Sequence, residues 1–413
     1  MTENRDLVLI TEFFHPDTVG TGQRMTDLAV GLHDRGFDVT VYTAQPHQHS
    51  SGIERWQPRK MTYRGVEVRR SPFPSVRQSS LPRRGFNWLL FLAWISMVLL
   101  LRQRNREVLF VSHPPLLPPV VWLVARVTGR TYSYVVHDLY PDAAVELGYI
   151  SRGGVIERIW SRLNRSIFGD ARYVIALGPA MQARIRDQSD TATEPDVVVI
   201  PNWEDDDLVE PLPKQENWFS RKHGLLDEFV VLYSGSIAVY HDLETLLRAA
   251  AMMDSDVRFL LIGEGENKQS IVDLADELGV LEETVRFLPF QPWETLPYSL
   301  TCADITVVTV KEGFEGVNVS GKTFTALAAG QPVLVIAQPN DDESRLVEKF
   351  DAGFHVPQGD VDGVIEAIET WQSNPDLVTE HGENARRAFE RRFTKEKCLD
   401  AYYRLLAFDE LPE

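Results

Sequence analysis

Lys322 is the residue whose position asks most of its surroundings. It follows Ser320-Gly321 at the head of a short helix of small residues. A lysine in a first helical turn repels the positive end of the helix dipole unless an anion sits there. The preceding loop, Lys311 to Val319, carries Gly313 and Gly316, so backbone N–H groups, a helix N-terminus and a cation would converge on one anion, for which phosphate is the best fit. A related loop, Glu12 to Gly22, follows the first apolar run, with Gly20 and Gly22 directly before a helix read from Gln23 to Arg35. Two histidines stand at the exits of apolar runs: His113 in His113-Pro114-Pro115, and His137 in His137-Asp138-Leu139-Tyr140-Pro141-Asp142. Either could be a satisfied structural histidine, and the glycines near Lys322 could do no more than turn the chain.

The elements that would position these groups alternate between strand and helix. Leu7 to Thr11 and Asp38 to Thr43 read as strands, with residues 63–70 as a short strand on a glycine turn. Val108 to Ser112, Tyr132 to Val136, Val174 to Leu177 and Val197 to Ile200 complete a first sheet. The second half restarts with four strand-loop-helix repeats: Val230 to Tyr233, Phe259 to Ile262, Val285 to Leu288, and Ala303 to Val310. The last is followed by the Lys322 helix, its stop at Gly330-Gln331-Pro332 and the apolar run Val333 to Ala337. The fold class is therefore α/β, two doubly wound Rossmann-like domains facing across a cleft, with polar residues at the strand exits lining it. The domains are expected at 1–201 and 202–393, with a terminal helix of about 394–413 that packs back on the first. The acidic run Glu204 to Asp207 at the boundary reads as solvated linker rather than a metal-binding carboxylate cluster. The first loop lacks the third glycine of a dinucleotide fingerprint, which weakens a nicotinamide reading.

A chain of 413 residues exceeds one ordinary core, and 60 acids against 42 bases, a net charge of -18, argue against nucleic acid as a partner. Cys302 and Cys398 are the only cysteines, so neither a disulfide framework nor a thiolate metal site is expected, and no metal ligand set is read. The chain enters a strand soon after its N-terminus, which points to a reducing, cytoplasmic setting. His47 and His49 lie in a polar stretch without metal spacing. Trp88 to Leu101 is uncharged but, at 14 residues, falls short of a bilayer span. Arg77, Arg83 and Arg84 precede it and Arg102, Arg104 and Arg106 follow it. The segment of about 77–106 is read either as a buried helix or as a peripheral contact with an anionic membrane surface.

Taken in order, the glycine loop, Val135-Val136-His137-Asp138-Leu139-Tyr140-Pro141-Asp142, Ile200-Pro201-Asn202, Gly263-Glu264-Gly265, and Lys322 through Ala328-Ala329-Gly330-Gln331-Pro332-Val333 resemble family 4 glycosyltransferases of the GT-B fold. Within that family, the combination of His113-Pro114-Pro115, His137-Asp138-Leu139-Tyr140-Pro141 and Ser320-Gly321-Lys322 is similar to the branch with N-acetylfucosaminyltransferases of surface-polysaccharide assembly. The resemblance implies retaining, metal-independent transfer of a sugar, an N-acetylated or deoxy hexose, from a nucleoside diphosphate sugar, with UDP favoured. The acceptor would be a polyprenyl-linked glycan, and no further cofactor is implied. By resemblance His137, Asp138 and Lys322 are catalytic. Gly20, Gly22, Ser236, His241, Phe290, Ser320, Gly321 and Thr325 would hold the nucleotide sugar, with Phe290 near the base. Two departures stand out. The family's paired glutamates fall on Val317 and Thr325, and its Arg and Lys after the first strand of the second domain fall on Ser236 and His241. More of the diphosphate charge would then rest on Lys322. A non-hydrolysing sugar-nucleotide epimerase on the same fold, or a catalytically silent sugar-nucleotide-binding subunit, are the alternatives.

Overall fold

Strands such as Ile305–Thr309 are buried along their whole length, which is why they read as unbroken apolar runs rather than alternations. The computed structural model describes residues 5–17, 19–46, 56–73, 81–101, 107–189, 195–253 and 256–412. His47, His49, Arg77, Arg102, Arg104 and Arg106 lie outside the described residues. The chain forms two units, Met1–Pro201 with Glu396–Glu413, and Asn202–Lys395.

The first unit is built on β1 (Arg5–Ile10), β2 (Phe37–Thr43), β3 (Lys60–Tyr63), β4 (Val66–Arg70), β5 (Glu107–Val111), β6 (Tyr132–Val135), β7 (Val174–Ala176) and β8 (Val197–Val199). Their order is β3-β4-β2-β1-β5-β6-β7-β8, with only β3 and β4 antiparallel. The single strand expected over 63–70 is thus a hairpin, because Arg64 (φ 45°) and Gly65 (φ 86°) form a two-residue turn inside the run. The helices are α1 (Gly20–Asp34), α2 (Leu81–Leu101), α3 (Leu117–Thr128), α4 (Asp142–Glu146), α5 (Val155–Gly169) and α6 (Pro179–Gln188). α1 begins three residues before the expected Gln23, so Gly20 and Gly22 belong to its first turn rather than to a loop.

The uncharged run 88–101 is the later part of α2, which has 21 residues. Pro82 fits a first turn, where its missing N–H has no partner to lose, so the helix starts well ahead of Trp88. By length and composition α2 is able to cross a bilayer, which corrects the expectation that it falls short. Its inner stripe, including Phe91, Trp94, Ile95 and Val98, is nevertheless buried in the unit, with Trp94 tilted against Tyr42 of β2 at 5.8 Å.

The second unit holds β9 (Phe229–Ser234), β10 (Val257–Ile262), β11 (Val285–Leu288), β12 (Ile305–Thr309), β13 (Val333–Ile336) and β14 (Gly353–Val356). All are parallel, in the order β11-β10-β9-β12-β13-β14. This is a doubly wound sheet whose chain direction reverses between β9 and β12, the place where open α/β sheets bind ligands. β14 was not among the expected strands, since Gly353-Phe354-His355-Val356 is too short and too mixed to declare itself. The helices are α7 (Trp218–His223), α8 (Leu243–Ala250), α9 (Lys268–Glu277), α10 (Leu296–Leu300), α11 (Gly321–Ala328), α12 (Asp342–Phe350), α13 (Val361–Ser373) and α14 (Pro375–Arg392). α15 (Lys395–Phe408) then packs on the first unit, where Tyr403 meets Phe37 and Leu399 fills the space over Gly31.

Candidate functional site

In the second unit, the loops at the reversal point bring the expected cation to a built position. Ser320 caps α11, its Oγ accepting from Lys322 N at 3.4 Å. Its own amide donates to Glu343 Oε1 at 2.5 Å. That bond engages one of the N–H groups at the helix head that were expected to converge on an anion. The Lys322 side chain runs back over the exit of β9. Gly235 (φ 141°) makes this possible, for a Cβ there would stand 2.6 Å from Lys322 Cε. Nζ reaches 5.2 Å from the Tyr233 ring centroid and 3.0 Å from His241 Nε2.

Burial pulls Lys322 from its ordinary 10.5 down to about 7. His241 is held well below its ordinary range, first by burial and then by Lys322. Glu343 is pushed well up by burial and by Asp341 beside it, which favours its neutral form. His241 Nδ1 accepts from the Ala238 amide at 3.3 Å, and this bond assigns the ring proton of the neutral imidazole to Nε2. Nε2–H therefore donates to Lys322 in its amine form. Protonating the amine would set two donors against each other at 3.0 Å, a conflict that an oxyanion accepting from both removes. Burial thus favours the amine form of Lys322 above about pH 7, and an oxyanion placed there would favour its protonated form.

The backbone behind this head is tight. A Cβ at Gly263 would lie 1.8 Å from Gly235 O, and one at Gly265 would lie 2.1 Å from Ile237 O, so the loop after β10 rests directly on the loop after β9. Ser236 is exposed in that loop, its carbonyl accepting from Tyr233 Oη at 2.6 Å. Phe290, 55% exposed, follows β11 at the sheet edge, two strands from β9. Thr325 sits one turn along α11 from Lys322, and its Oγ1 donates to Glu204 Oε2 at 2.9 Å and to Gly321 O at 3.1 Å. Asp205 pairs with Lys395, so the run 204–207 is less of a free solvated linker than expected. The structure therefore brings together Lys322, His241, Ser320 and Gly321, sets Ser236 beside them, and places Thr325 and Phe290 further out.

In the first unit, Ser112 Oγ at the exit of β5 accepts from the amides of His137 at 3.0 Å and Asp138 at 2.9 Å, fixing the loop after β6. Burial, Arg24 and His113 together hold His137 down to about 3, so it is neutral throughout the physiological range. His113 Nδ1 lies 3.7 Å from Asp138 Oδ2, and its ring is 6.2 Å from both Phe13 and Tyr140. Gly20 stands beside Arg24, whose Nη1 would be 3.2 Å from a Cβ there. Gly22 is buried against the preceding loop, a Cβ there meeting Asp17 and Phe13 at 3.3 Å. His137, Asp138 and His113 are brought together; Gly20 adjoins them through Arg24, and Gly22 serves the packing of the 13–17 loop. Sequence reading missed Arg24 and Ser112. Arg24 lies in the second turn of α1, where the helix dipole acts weakly, so it carried a fainter signal than Lys322. Ser112 carried none.

Residues 215–388 match the family described as glycosyl transferases group 1, and residues 19–203 match a glycosyl transferase 4-like domain. The "Putative colanic acid biosynthesis glycosyl transferase WcaI" of Escherichia coli (strain K12) is 24% identical over 406 residues, 94% of this chain and 96% of its own. The "Probable glycosyltransferase WbjE" of Pseudomonas aeruginosa is 24% identical over 292 residues, 70% of this chain and 72% of its own. Among solved structures, HepE (Alr3699) of Anabaena in complex with UDP and glucose aligns with a TM-score of 0.73 at 17% identity, over 98% of this chain and 100% of that one.

Proposed function

Since this chain belongs to the glycosyltransferases, a 4-like domain followed by a group 1 domain on the GT-B fold, we propose that it moves a sugar from a nucleoside diphosphate sugar to a lipid-linked glycan in polysaccharide biosynthesis. One observation carries the reading: Lys322 and His241, 3.0 Å apart over the side-chain-free Gly235, at the reversal point of the second unit's sheet. A diphosphate accepting from both would be stabilised most as it departs, because charge then accumulates on its oxygens. The bond from the anomeric carbon to the diphosphate breaks, the bond to the acceptor oxygen forms with the configuration retained, and the acceptor proton passes to the leaving diphosphate. His137, neutral, donates a hydrogen bond to the sugar, and Phe290 offers an exposed ring to the base. We assign UDP as the nucleotide, in line with the HepE complex, and an N-acetylated or deoxy hexose as the sugar. The polyprenyl-linked acceptor is met at the cytoplasmic face of the membrane, contacted by the segment of about 77–106.

Purified chain, given UDP-, GDP- or TDP-sugars with a polyprenyl-linked acceptor, should release nucleoside diphosphate, and should still do so in EDTA. No release from any donor would end the proposal. A thermal-shift screen of the three diphosphates ranks the bases, since a ligand at 100 times its Kd adds about 2.7 kcal/mol.

A further inference from the structure

The outer surface of the first unit's helix layer is unusually apolar. α2 packs on α3 and α3 on α5, and because these helices connect strands of one parallel sheet in one direction, they lie side by side on one face of it. Each keeps an inner stripe in the core and turns large apolar residues outward: Leu89 (63% exposed) and Met97 on α2, Leu123 and Val127 on α3, Ile156 and Ile159 on α5. On the two helices where the outward stripe can be followed furthest, its spacing is helical, so these side chains share a face rather than being scattered.

The charge on this layer is opposite to that of the chain. The three helices, of 21, 12 and 15 residues, hold six arginines and one acidic residue, Glu157, in a protein whose net charge is -18. Glu157 is engaged by the Gly153 amide. Arg84, Arg158, Arg162 and Arg165 are exposed. Apolar residues interleaved with arginines suit an interfacial helix, whose guanidinium groups reach headgroup phosphates while aliphatic side chains enter the acyl boundary. The underside of α5 is also tied to the candidate site. Trp160 stacks on Tyr140 at 5.9 Å, and Asn164 Nδ2 donates to the Tyr140 carbonyl, in the loop that begins at His137.

We propose that α2, α3 and α5 together form a docking face for an anionic lipid bilayer, with the arginines of α5 as its main headgroup contacts. This rests on the membrane contact proposed above and extends it from one helix to three. α2 then lies along the membrane surface rather than crossing it, as its buried stripe and the 2.7 Å bond from Arg130 Nη2 to Leu99 O in the folded unit require.

The test is flotation of the full chain with phosphatidylcholine vesicles, with and without roughly one phosphatidylglycerol in three lipids. The wild-type chain should float only with the anionic vesicles and be released by alkaline carbonate. The double variant Arg162→Glu/Arg165→Glu should lose about tenfold or more of that binding. Arg162→Lys/Arg165→Lys should keep it, and Ile159→Asp with Leu123→Asp should lose it at an unchanged thermal midpoint. Transfer to a short acceptor lacking the polyprenyl tail should be the same in all of these, which separates docking from catalysis. Full binding by the Glu double variant would confine the contact to α2. Resistance to carbonate would make α2 a membrane span. Loss of self-association in place of vesicle binding would assign the face to a second copy. Each of these three results overturns the proposal.

Discussion

The ligand edges of the two units use the same parts in different states. In each, a base near the head of a helix stands beside a histidine whose pKa is depressed: Arg24 with His137 in the first unit, Lys322 with His241 in the second. The first pair keeps a fixed charge, because a guanidinium does not lose its proton in the accessible range. The second is conditional, because burial brings Lys322 to about 7. A cation that acquires its proton with its ligand would grip an anion more strongly as negative charge grows on it, as on a departing diphosphate. A permanent one is suited to holding a neutral histidine in place.

The strongest way to break this contrast is Lys322→Ala, which should lower transfer by about 10² or more, the range for removing one charge-stabilising donor. A loss below threefold would put the diphosphate elsewhere. Next in size is pH. Above pH 7 the free Lys322 is an amine, so diphosphate binding must take up a proton. Affinity should fall by about tenfold per pH unit above 7 and calorimetry in two buffers should show nearly one proton absorbed. Stability without ligand moves the other way: between about 7 and 10.5 the unfolded chain holds the lysine proton and the folded chain does not, so this group favours folding more as pH rises. Lys322→Arg should abolish the slope in affinity.

His137→Ala should cost about tenfold in kcat/KM, the worth of one hydrogen bond to the sugar, while His137→Gln recovers part of it. Because His137 sits at about 3, the wild-type profile between pH 5 and 9 should contain no titration that this substitution removes. His241→Gln keeps a donor near the position of Nε2 and should weaken diphosphate binding only about two- to tenfold. Smallest is Glu343→Gln, expected to change affinity by less than about twofold because burial and Asp341 push the Glu343 pKa well up and favour the neutral carboxyl that Gln mimics. A larger loss would show a charged Glu343 paired with Lys322 and erase the difference between the two edges.

The sheet, the helices behind it and the lysine were readable in the chain because each follows a local rule: unbroken apolar runs, a stop at Gly330-Gln331-Pro332, and a cation where the helix dipole disfavours one. What escaped was set by partners distant in sequence or by turns that mask a boundary. Ser112 gains its role only when β5 and β6 lie side by side, and the contact of His241 with Lys322 spans 81 residues. Pro82 made the true start of α2 read as a flank, and the glycines ahead of Gln23 did the same for α1, which hid Arg24 in its second turn. The serine that anchors the loop after β6 lies outside the His137-to-Asp142 run.

The backbone contact between Gly263 and Gly235 has a practical corollary for redesign. A mutant library aimed at a new sugar nucleotide gains nothing at Gly235, Gly263 or Gly265, where the smallest added side chain would collide with Lys322 or with a carbonyl oxygen. Diversity belongs instead at Ser236 and Phe290, which are exposed to solvent.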